Sequence, residues 1–125
     1  MIVFDTYAWV EYFRGSLQGK KVQGFLAKEE VLTPVLVLVE LSVKSAKEGW
    51  DFEKHLEFIK SKSLIVGINE EIIKQAGGFY VAMRKKNPSF GLIDALIFLV
   101  AKEHQAKIIT GDPHFKNLEN VEFLE

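Results

Sequence analysis

The chain has 125 residues, with 16 Lys and Arg against 17 Asp and Glu, a formal net charge of −1 and 48% hydrophobic residues. This composition is typical of a soluble globular protein, and we expect a single domain over residues 1–125. The absence of cysteine excludes thiolate catalysis, disulfide scaffolds, zinc fingers and iron–sulfur clusters. No apolar run approaches the roughly 20 residues that span a bilayer, and no signal peptide is recognisable. We therefore expect a cytoplasmic protein without a membrane anchor.

Short β-rich runs alternate with helical segments. In chain order, the predicted elements are strand 2–4, helix 6–14, helix 16–28, strand 31–32, helix 33–48, a helix capped by Asp51, strand 63–66, helix 69–86, helix 91–104, strand 107–110 and a strand near 121–124. Gly15 and Gly49 each end a helix, and Pro34 is predicted at a first helical position. Strands separated by helices imply right-handed crossovers and a parallel sheet covered on both faces. The predicted fold is α/β, a three-layer α/β/α sandwich around a mostly parallel sheet of about five strands.

Two acidic residues follow predicted strands. Asp5 directly ends the run 2–4, and Asp112 comes two residues after the run 107–110. Parallel sheets bind ligands at the carboxyl ends of their strands, so both carboxylates are candidate site residues. Aspartate also favours turns and helix caps, and this alternative stays open for each of them.

Two further acids interrupt apolar helical segments. Glu40 is the single charge of the run 35–41, and Asp94 is the single charge of the run 92–100. A lone buried carboxylate is costly unless it is paired, protonated or bound to a cation. No Lys or Arg lies within one turn of Asp94, and Lys44 is the one candidate beside Glu40. Either a long-range salt bridge compensates these charges, or all four acids converge in one pocket.

Four carboxylates in one pocket repel one another, and a hard divalent cation relieves that repulsion. Oxygen ligands suit Mg²⁺ or Mn²⁺, which leave room for a phosphate oxygen. Such a metal activates water and stabilises the charge that develops during phosphodiester attack. His55, His104 and His114 lack the spacing of a zinc site and are predicted at the surface, with His114 close enough to the Asp112 turn to contact a substrate.

The segments that carry these acids resemble the PIN domain family of metal-dependent ribonucleases, in particular the VapC-type toxins of toxin–antitoxin pairs. They read MIVFDT at 1–6, VEL at 39–41, FGLIDALI at 90–97 and ITGDPHF at 109–115. The resemblance covers nearly the whole chain. It implies a metal-binding, catalytic quartet of four acids: Asp5, Glu40, Asp94 and Asp112.

The resemblance also implies supporting residues. Thr110, two residues before the last aspartate, is expected to orient Asp5 through its hydroxyl, and Thr6 is expected to support the ligands in the same way. Gly111 departs from the family pattern, since many relatives carry a larger, often basic residue there. We therefore expect this departure to alter contacts with the substrate while leaving the four metal-binding acids intact.

Mechanism and partners follow from the same resemblance. Water activated on Mg²⁺ or Mn²⁺ would attack an RNA phosphodiester and leave a 5′-phosphate and a 3′-hydroxyl. Asp5, Asp94 and Asp112 are the firmest expected ligands, with Glu40 binding through water or completing a second metal site. A cognate antitoxin and a second copy of the chain, forming a homodimer, are the expected protein partners.

The overall charge is compatible with this expectation. Without the four site acids, 13 acidic residues remain against 16 basic ones, so the rest of the chain is mildly basic, which is compatible with RNA binding.

Two further features are assigned to partners, each with an alternative. Trp9, Tyr12 and Phe13 form an aromatic strip that either docks an antitoxin segment or packs in the core. Gly77 and Gly78 lie in the predicted helix 69–86, and each lowers the stability of a helix by about 1 kcal/mol relative to alanine. One hypothesis for this pair is close approach of another helix across a dimer interface.

Three rival functions fit the residues less well. A Mg²⁺-dependent phosphatase with Asp5 as nucleophile commonly needs a second acid two residues later, where this chain has Tyr7. A receiver domain needs an acceptor aspartate after its third strand, where this chain has Val66 and Gly67. A PIN-like module that binds RNA or protein without cutting typically lacks at least one ligand, whereas all four acids are present here.

Overall fold

The computed structural model describes all 125 residues as one five-stranded sheet with six helices. The strands are β1 (Ile2–Phe4), β2 (Val31–Pro34), β3 (Leu64–Val66), β4 (Lys107–Thr110) and β5 (Val121–Phe123). The helices are α1 (Thr6–Arg14), α2 (Leu17–Lys28), α3 (Val35–Glu48), α4 (Phe52–Lys62), α5 (Glu70–Lys86) and α6 (Leu92–Glu103). A short 3₁₀ helix, Pro113–Phe115, follows β4. None of the helices combines the length and apolarity that crossing a membrane requires.

The sheet has the order β3-β2-β1-β4-β5, and every neighbouring pair is parallel. All three residues of β1 are buried, as expected for a central strand whose sheet is covered by helices on both faces. The α/β prediction is therefore confirmed. From β1 the chain first builds β2 and β3 on one side and then β4 and β5 on the other. This switch point opens a crevice at the carboxyl ends of β1 and β4, where such sheets bind ligands.

Local signals account for most helix boundaries. The side chains of Ser16, Asp51 and Asn69 each accept a hydrogen bond from the backbone N–H three residues later, at 3.0, 3.2 and 2.9 Å. Gly15 and Gly49 end α1 and α3 with φ of 66° and 75°, a left-handed conformation that glycine adopts readily. These caps follow from the sequence because each depends only on near neighbours along the chain.

The prediction for Pro34 is wrong. Pro34 is the last residue of β2, pairs with Val66 of β3, and precedes the first helical residue, Val35. Its φ of −61° fits a helix start, but its ψ of 140° is extended. The missing N–H is tolerated there because β1 pairs with β2 only as far as Leu32.

The aromatic strip belongs to the core. Trp9 is fully buried, stacks on Phe13 with ring centroids 5.7 Å apart, and donates from Nε1 to the Thr33 hydroxyl at 3.1 Å. Tyr12 and Phe13 are half-buried against the same core. Docking of an antitoxin segment on Trp9 is therefore wrong, and core packing, the alternative, is what the structure shows.

Candidate metal centre

The four predicted acids meet in one cavity at the carboxyl edge of the sheet, with a volume of about 650 Å³. Asp5 follows β1, Glu40 lies in α3, Asp94 lies in the first turn of α6, and Asp112 follows β4. We call this space the acidic cavity. It brings together residues that are as far apart as 107 positions in the chain, because β1 and β4 are neighbours in the sheet.

Asp5 is the most buried of the four acids, with 2% of its surface exposed. Its carboxylate caps α1 by accepting the Ala8 N–H at 2.9 Å, and it also accepts the Thr110 hydroxyl. Burial raises the pKa of Asp5 to about 7, with smaller contributions from the charges of Asp112 and Asp94, against the lowering effect of its two hydrogen bonds. Without a cation, the folded protein therefore holds a carboxyl that is only partly ionised at neutral pH.

Thr110 connects two of the acids. Its hydroxyl donates to Asp5, and its Oγ1 accepts the backbone N–H of Asp112 at 2.9 Å. Thr110 is fully buried at the end of β4, beside β1. One hydroxyl thus fixes the Asp5 carboxylate relative to the chain segment that carries Asp112.

Asp94 and Asp112 are also helix caps. Asp94 Oδ2 accepts the Gly91 N–H at 2.8 Å, and Asp112 Oδ1 accepts the His114 N–H at 2.9 Å. Asp94 therefore lies in the first turn of α6, where a carboxylate interacts favourably with the helix dipole, and not in a helix interior. Burial raises its pKa, and the Gly91 N–H partly opposes this shift. The capping alternative is thus confirmed for Asp112, as it is for Asp5, and both residues also share the acidic cavity with Asp94.

His114 contacts the acids directly, which sequence reasoning missed. Its Nδ1 lies 2.9 Å from Asp94 Oδ2 and 3.5 Å from Asp112 Oδ1. These three side chains offer ligand atoms within 4.8 Å of one another, close enough to hold one metal ion. The available signal was the Asp-Pro-His order, which predicts a tight turn that returns the third side chain towards the first.

Glu40 completes the cluster from α3. It is half-buried and accepts a hydrogen bond from the hydroxyl of Thr6, the residue after Asp5. Burial raises the pKa of Glu40, and the Thr6 hydroxyl partly opposes this shift. Both predicted supporting threonines therefore donate to a carboxylate of the acidic cavity.

The salt-bridge alternative does not hold for these acids. No lysine or arginine forms an ion pair with any of them, and the one nitrogen-bearing side chain in contact with them is the imidazole of His114. Lys44, the candidate beside Glu40, instead pairs with Glu48 at 3.0 Å. The four carboxylates are thus not neutralised by direct contact with a lysine or arginine.

The remaining wall of the acidic cavity carries basic and aromatic side chains that sequence reasoning did not assign to the site. Arg14, Lys44 and Lys47 line it, as does Tyr7. Burial raises the pKa of Tyr7, and the charges of Glu11, Asp5 and Asp112 act in the same direction, so its phenol stays protonated at neutral pH. Clustered carboxylate oxygens, one imidazole nitrogen and a basic wall suit a divalent cation beside a phosphate group.

Comparisons with known proteins cover nearly the whole chain. The PIN domain family model matches residues 2–121. Ribonuclease VapC11 of Mycobacterium tuberculosis and a VapC ribonuclease of Mycobacterium bovis are each 28% identical over 129 residues, covering 100% of this chain and 96% of theirs.

Solved structures share the fold at lower identity. The VapC20 toxin of Mycobacterium tuberculosis, described as cleaving the sarcin–ricin loop, has a TM-score of 0.81 at 17% identity over 100% of both chains. A chain of VapBC2 from Rickettsia felis, bound to promoter DNA, has a TM-score of 0.77 at 19% identity, also over 100% of both chains. A toxin–antitoxin complex from Klebsiella pneumoniae gives 0.76 at 21%, over 100% of this chain and 98% of that one. With the family model matching nearly its whole length, this chain belongs to the PIN domain family.

Proposed function

We propose that this protein is a divalent-metal-dependent endoribonuclease and the toxin of a VapBC-type toxin–antitoxin pair. The observation that carries the proposal is the acidic cavity, in which Asp5, Glu40, Asp94 and Asp112 meet without a lysine or arginine partner. Relatives that align with the whole chain are named VapC ribonucleases, which supports RNA as the substrate. A cytoplasmic location belongs to the same proposal.

The residues fit a hard divalent cation. Burial raises the pKa of Asp5 to about 7 and also raises the pKa values of Glu40 and Asp94, so the positive charge of a bound cation would favour the ionised form of these carboxylates. Asp5, Asp94 and Asp112 would hold Mg²⁺ or Mn²⁺, with Glu40 completing the set. His114 adds a nitrogen donor, which Mn²⁺ accepts more readily than Mg²⁺.

A bound cation would supply an activated water and offset the negative charge of the attacked phosphodiester. The chain's own residues prepare the site for this chemistry. Thr110 and the Ala8 N–H hold the Asp5 carboxylate in one orientation, and Thr6 holds Glu40. Glu40 would contribute through a metal-bound water or by completing a second metal site. The expected products carry a 5′-phosphate and a 3′-hydroxyl.

Basic residues of the same cavity are available to contact the RNA backbone. Arg14, Lys44 and Lys47 line the acidic cavity beside the carboxylates. Their charges are positioned to contact phosphates that flank the scissile one, a contribution that salt weakens. RNA binding is therefore expected to fall steeply between low and physiological ionic strength.

The proposal includes two protein partners. Val39 and Val43 of α3 are 56% and 50% exposed and line the acidic cavity, which suits an apolar segment of an antitoxin that covers the site. Ile73 and Val81 of α5 are 64% and 55% exposed and flank Gly77 at four-residue spacing, which suits helix packing in a homodimer. Solved relatives of the same fold include toxin–antitoxin complexes, which supports the first partner.

The test is cleavage of a pool of structured RNAs by the purified protein with Mg²⁺, with Mn²⁺ and with EDTA. Asp94→Asn should reduce cleavage at least about 100-fold, because it removes a ligand charge. The variant should still fold, since the asparagine side-chain oxygen can accept the Gly91 N–H that Asp94 accepts. Asp51→Asn is the matched control, because Asp51 likewise accepts a backbone N–H at a helix start, that of α4, but does not line the acidic cavity.

Cleavage that requires the metal, disappears in Asp94→Asn and persists in Asp51→Asn supports the proposal. Cleavage that resists EDTA or survives in Asp94→Asn contradicts it. RNA binding without cleavage by the wild type would instead favour a non-catalytic PIN-like module.

A further inference from the structure

The absence of a side chain at Gly111 is required by the neighbouring Tyr7 ring and not by the conformation of its own backbone. Its φ is not positive, so the backbone conformation at this position is open to any residue. A Cβ atom on Gly111, however, would lie 2.4 Å from Cε1, 2.6 Å from Cζ and 2.8 Å from the hydroxyl oxygen of Tyr7. Position 111 must therefore lack a side chain if the Tyr7 ring is to keep its place.

The ring that occupies this space belongs to the acidic cavity. Tyr7 lines it together with Asp5 and Asp112, and the charges of both carboxylates act on its phenol. Gly111 lies between Thr110 and Asp112, so the Tyr7 hydroxyl is packed against the segment that carries one of the acids. The contact fixes the position of an aromatic hydroxyl at the edge of the candidate metal centre.

The Tyr7 hydroxyl is available to a ligand. It makes no hydrogen bond within the chain, and the side chain is half-buried in the cavity wall. A neutral O–H group donates to a phosphate oxygen without competing for the metal or pairing with the carboxylates as a lysine would. Among acids that repel a phosphodiester, a fixed neutral donor is a favourable contact for its oxygens.

We propose that Tyr7 is a substrate-binding residue that donates its phenol hydrogen to a phosphate oxygen of the RNA, and that Gly111 is the positioning residue that makes room for it. This inference rests on the proposed ribonuclease function. It assigns a substrate contact to Tyr7 and explains the glycine at position 111 by the space that the Tyr7 ring occupies.

The experiment measures binding and cleavage of a fluorescein-labelled RNA oligonucleotide that spans the site cut by the wild type. Binding is followed by anisotropy in the Asp94→Asn background, and kcat and KM are measured with Asp94 intact. Tyr7→Phe should raise Kd and KM about tenfold with a smaller change in kcat, because it removes one hydrogen bond to a charged group. Tyr12→Phe, the same change on the same helix but outside the acidic cavity, should leave all three values unchanged.

Gly111→Ala tests the positioning role. It should raise KM at least as much as Tyr7→Phe does, because the new methyl group displaces the ring. In a Tyr7→Ser background, where no ring is present, Gly111→Ala should cause no further loss. Thermal unfolding of each variant separates displacement of the ring from loss of the fold.

The outcomes are distinct. Equal binding by Asp94→Asn with and without Tyr7→Phe overturns the hydroxyl contact while the proposed function stands, provided that Asp94→Asn is inactive in cleavage. Retained binding by Tyr7→Phe with loss in Tyr7→Leu overturns it in favour of base stacking on the ring. A loss caused by Gly111→Ala even in the Tyr7→Ser background overturns the positioning role. Absence of any RNA cleavage by the wild type overturns the proposed function and this inference with it.

Discussion

Helix α1 borders two regions that differ in how their polar groups are satisfied. At its start lies the acidic cavity, formed by Asp5 and three other carboxylates. Further along lies an aromatic cluster of Trp9, Tyr12, Phe13, Phe58 and His55. One short helix therefore contributes both to a cavity in which carboxylates repel one another and to a well-packed aromatic cluster.

The aromatic cluster has the properties of a stable core, namely buried rings that stack on one another and a satisfied polar atom. Trp9 is fully buried, and its one polar atom donates to Thr33. His55, predicted at the surface, stacks on Phe13 with ring centroids 3.9 Å apart, and burial lowers its pKa. His55 is thus half-buried, with one face of its imidazole packed as an aromatic ring against the core.

The acidic cavity has the opposite character. Its carboxylates are buried close together, and burial raises the pKa values of Asp5, Glu40 and Asp94. Each carboxylate is nevertheless held by a specific donor, such as Thr110 for Asp5 and Thr6 for Glu40. The comparison shows that this chain maintains a site that opposes stability beside a cluster that supports it, as expected where function requires like charges to converge.

The largest expected effect on stability comes from the aromatic cluster. Trp9→Ala should lower the free energy of unfolding by about 3–5 kcal/mol, because it opens a cavity in the core and removes the donor to Thr33. Urea unfolding measures this change. Leu17→Ala, at a side chain that is 78% exposed, is the control and should change stability by less than about 0.5 kcal/mol. A loss below 1 kcal/mol in Trp9→Ala would show that the cluster is not a stabilising core.

The next largest effect has the opposite sign and comes from the acidic cavity. The folded pKa of Asp5 is about 7 against an ordinary value of 3.8, so between these pH values the folded chain holds a proton that the unfolded chain has released. The stability of the metal-free protein should therefore fall as pH rises from about 4 to about 7. Asp5→Asn should weaken this dependence, leaving the part due to Glu40 and Asp94, and raise stability at pH 8 by on the order of 3 kcal/mol.

Urea unfolding in EDTA at pH 5 and pH 8 tests this prediction. Asp51→Asn, at an exposed cap, should retain the wild-type pH dependence. Adding Mg²⁺ should recover stability at pH 8 in the wild type but not in Asp5→Asn, because the metal binds only the ionised site. A wild-type stability that increases over the same pH range in EDTA would contradict the buried, metal-free carboxylate described above.

The smallest effect concerns glycines outside both regions. A Cβ on Gly77 or Gly78 would have no atom of the chain within 4 Å, so Gly77→Ala should raise the stability of an isolated chain by about 0.5–1 kcal/mol. Gly19→Ala is the contrasting control and should destabilise, because its Cβ would lie 2.0 Å from the Glu11 carbonyl oxygen. Thermal unfolding measures both variants.

The same glycines test the proposed dimer. If α5 packs against a second copy, Gly78→Leu should lower the oligomeric mass measured by light scattering. An unchanged mass and an unchanged stability in Gly78→Leu would remove the glycine pair from any interface.

Local features were predictable from the sequence. Capping residues such as Ser16 and Asn69 and the helix-ending Gly15 depend on neighbours within a few positions, so residue types alone indicate them. The α/β class follows from the alternation of strands and helices. The four acids were identifiable because single charges in apolar runs and acids after strands are unusual enough to notice without knowing their contacts.

Only the tertiary structure decided which groups face one another. Pro34 ends a strand because β3 pairs with it, and Trp9 lies in the core because Thr33 and Phe13 surround it. The contact of His114 with Asp94 and that of Tyr7 with Gly111 join residues 20 and 104 positions apart, a relation that no local propensity encodes. The sequence by itself determined the elements and the candidate acids, whereas the order of strands around β1 decided their convergence, since it brings the carboxyl ends of β1 and β4 together.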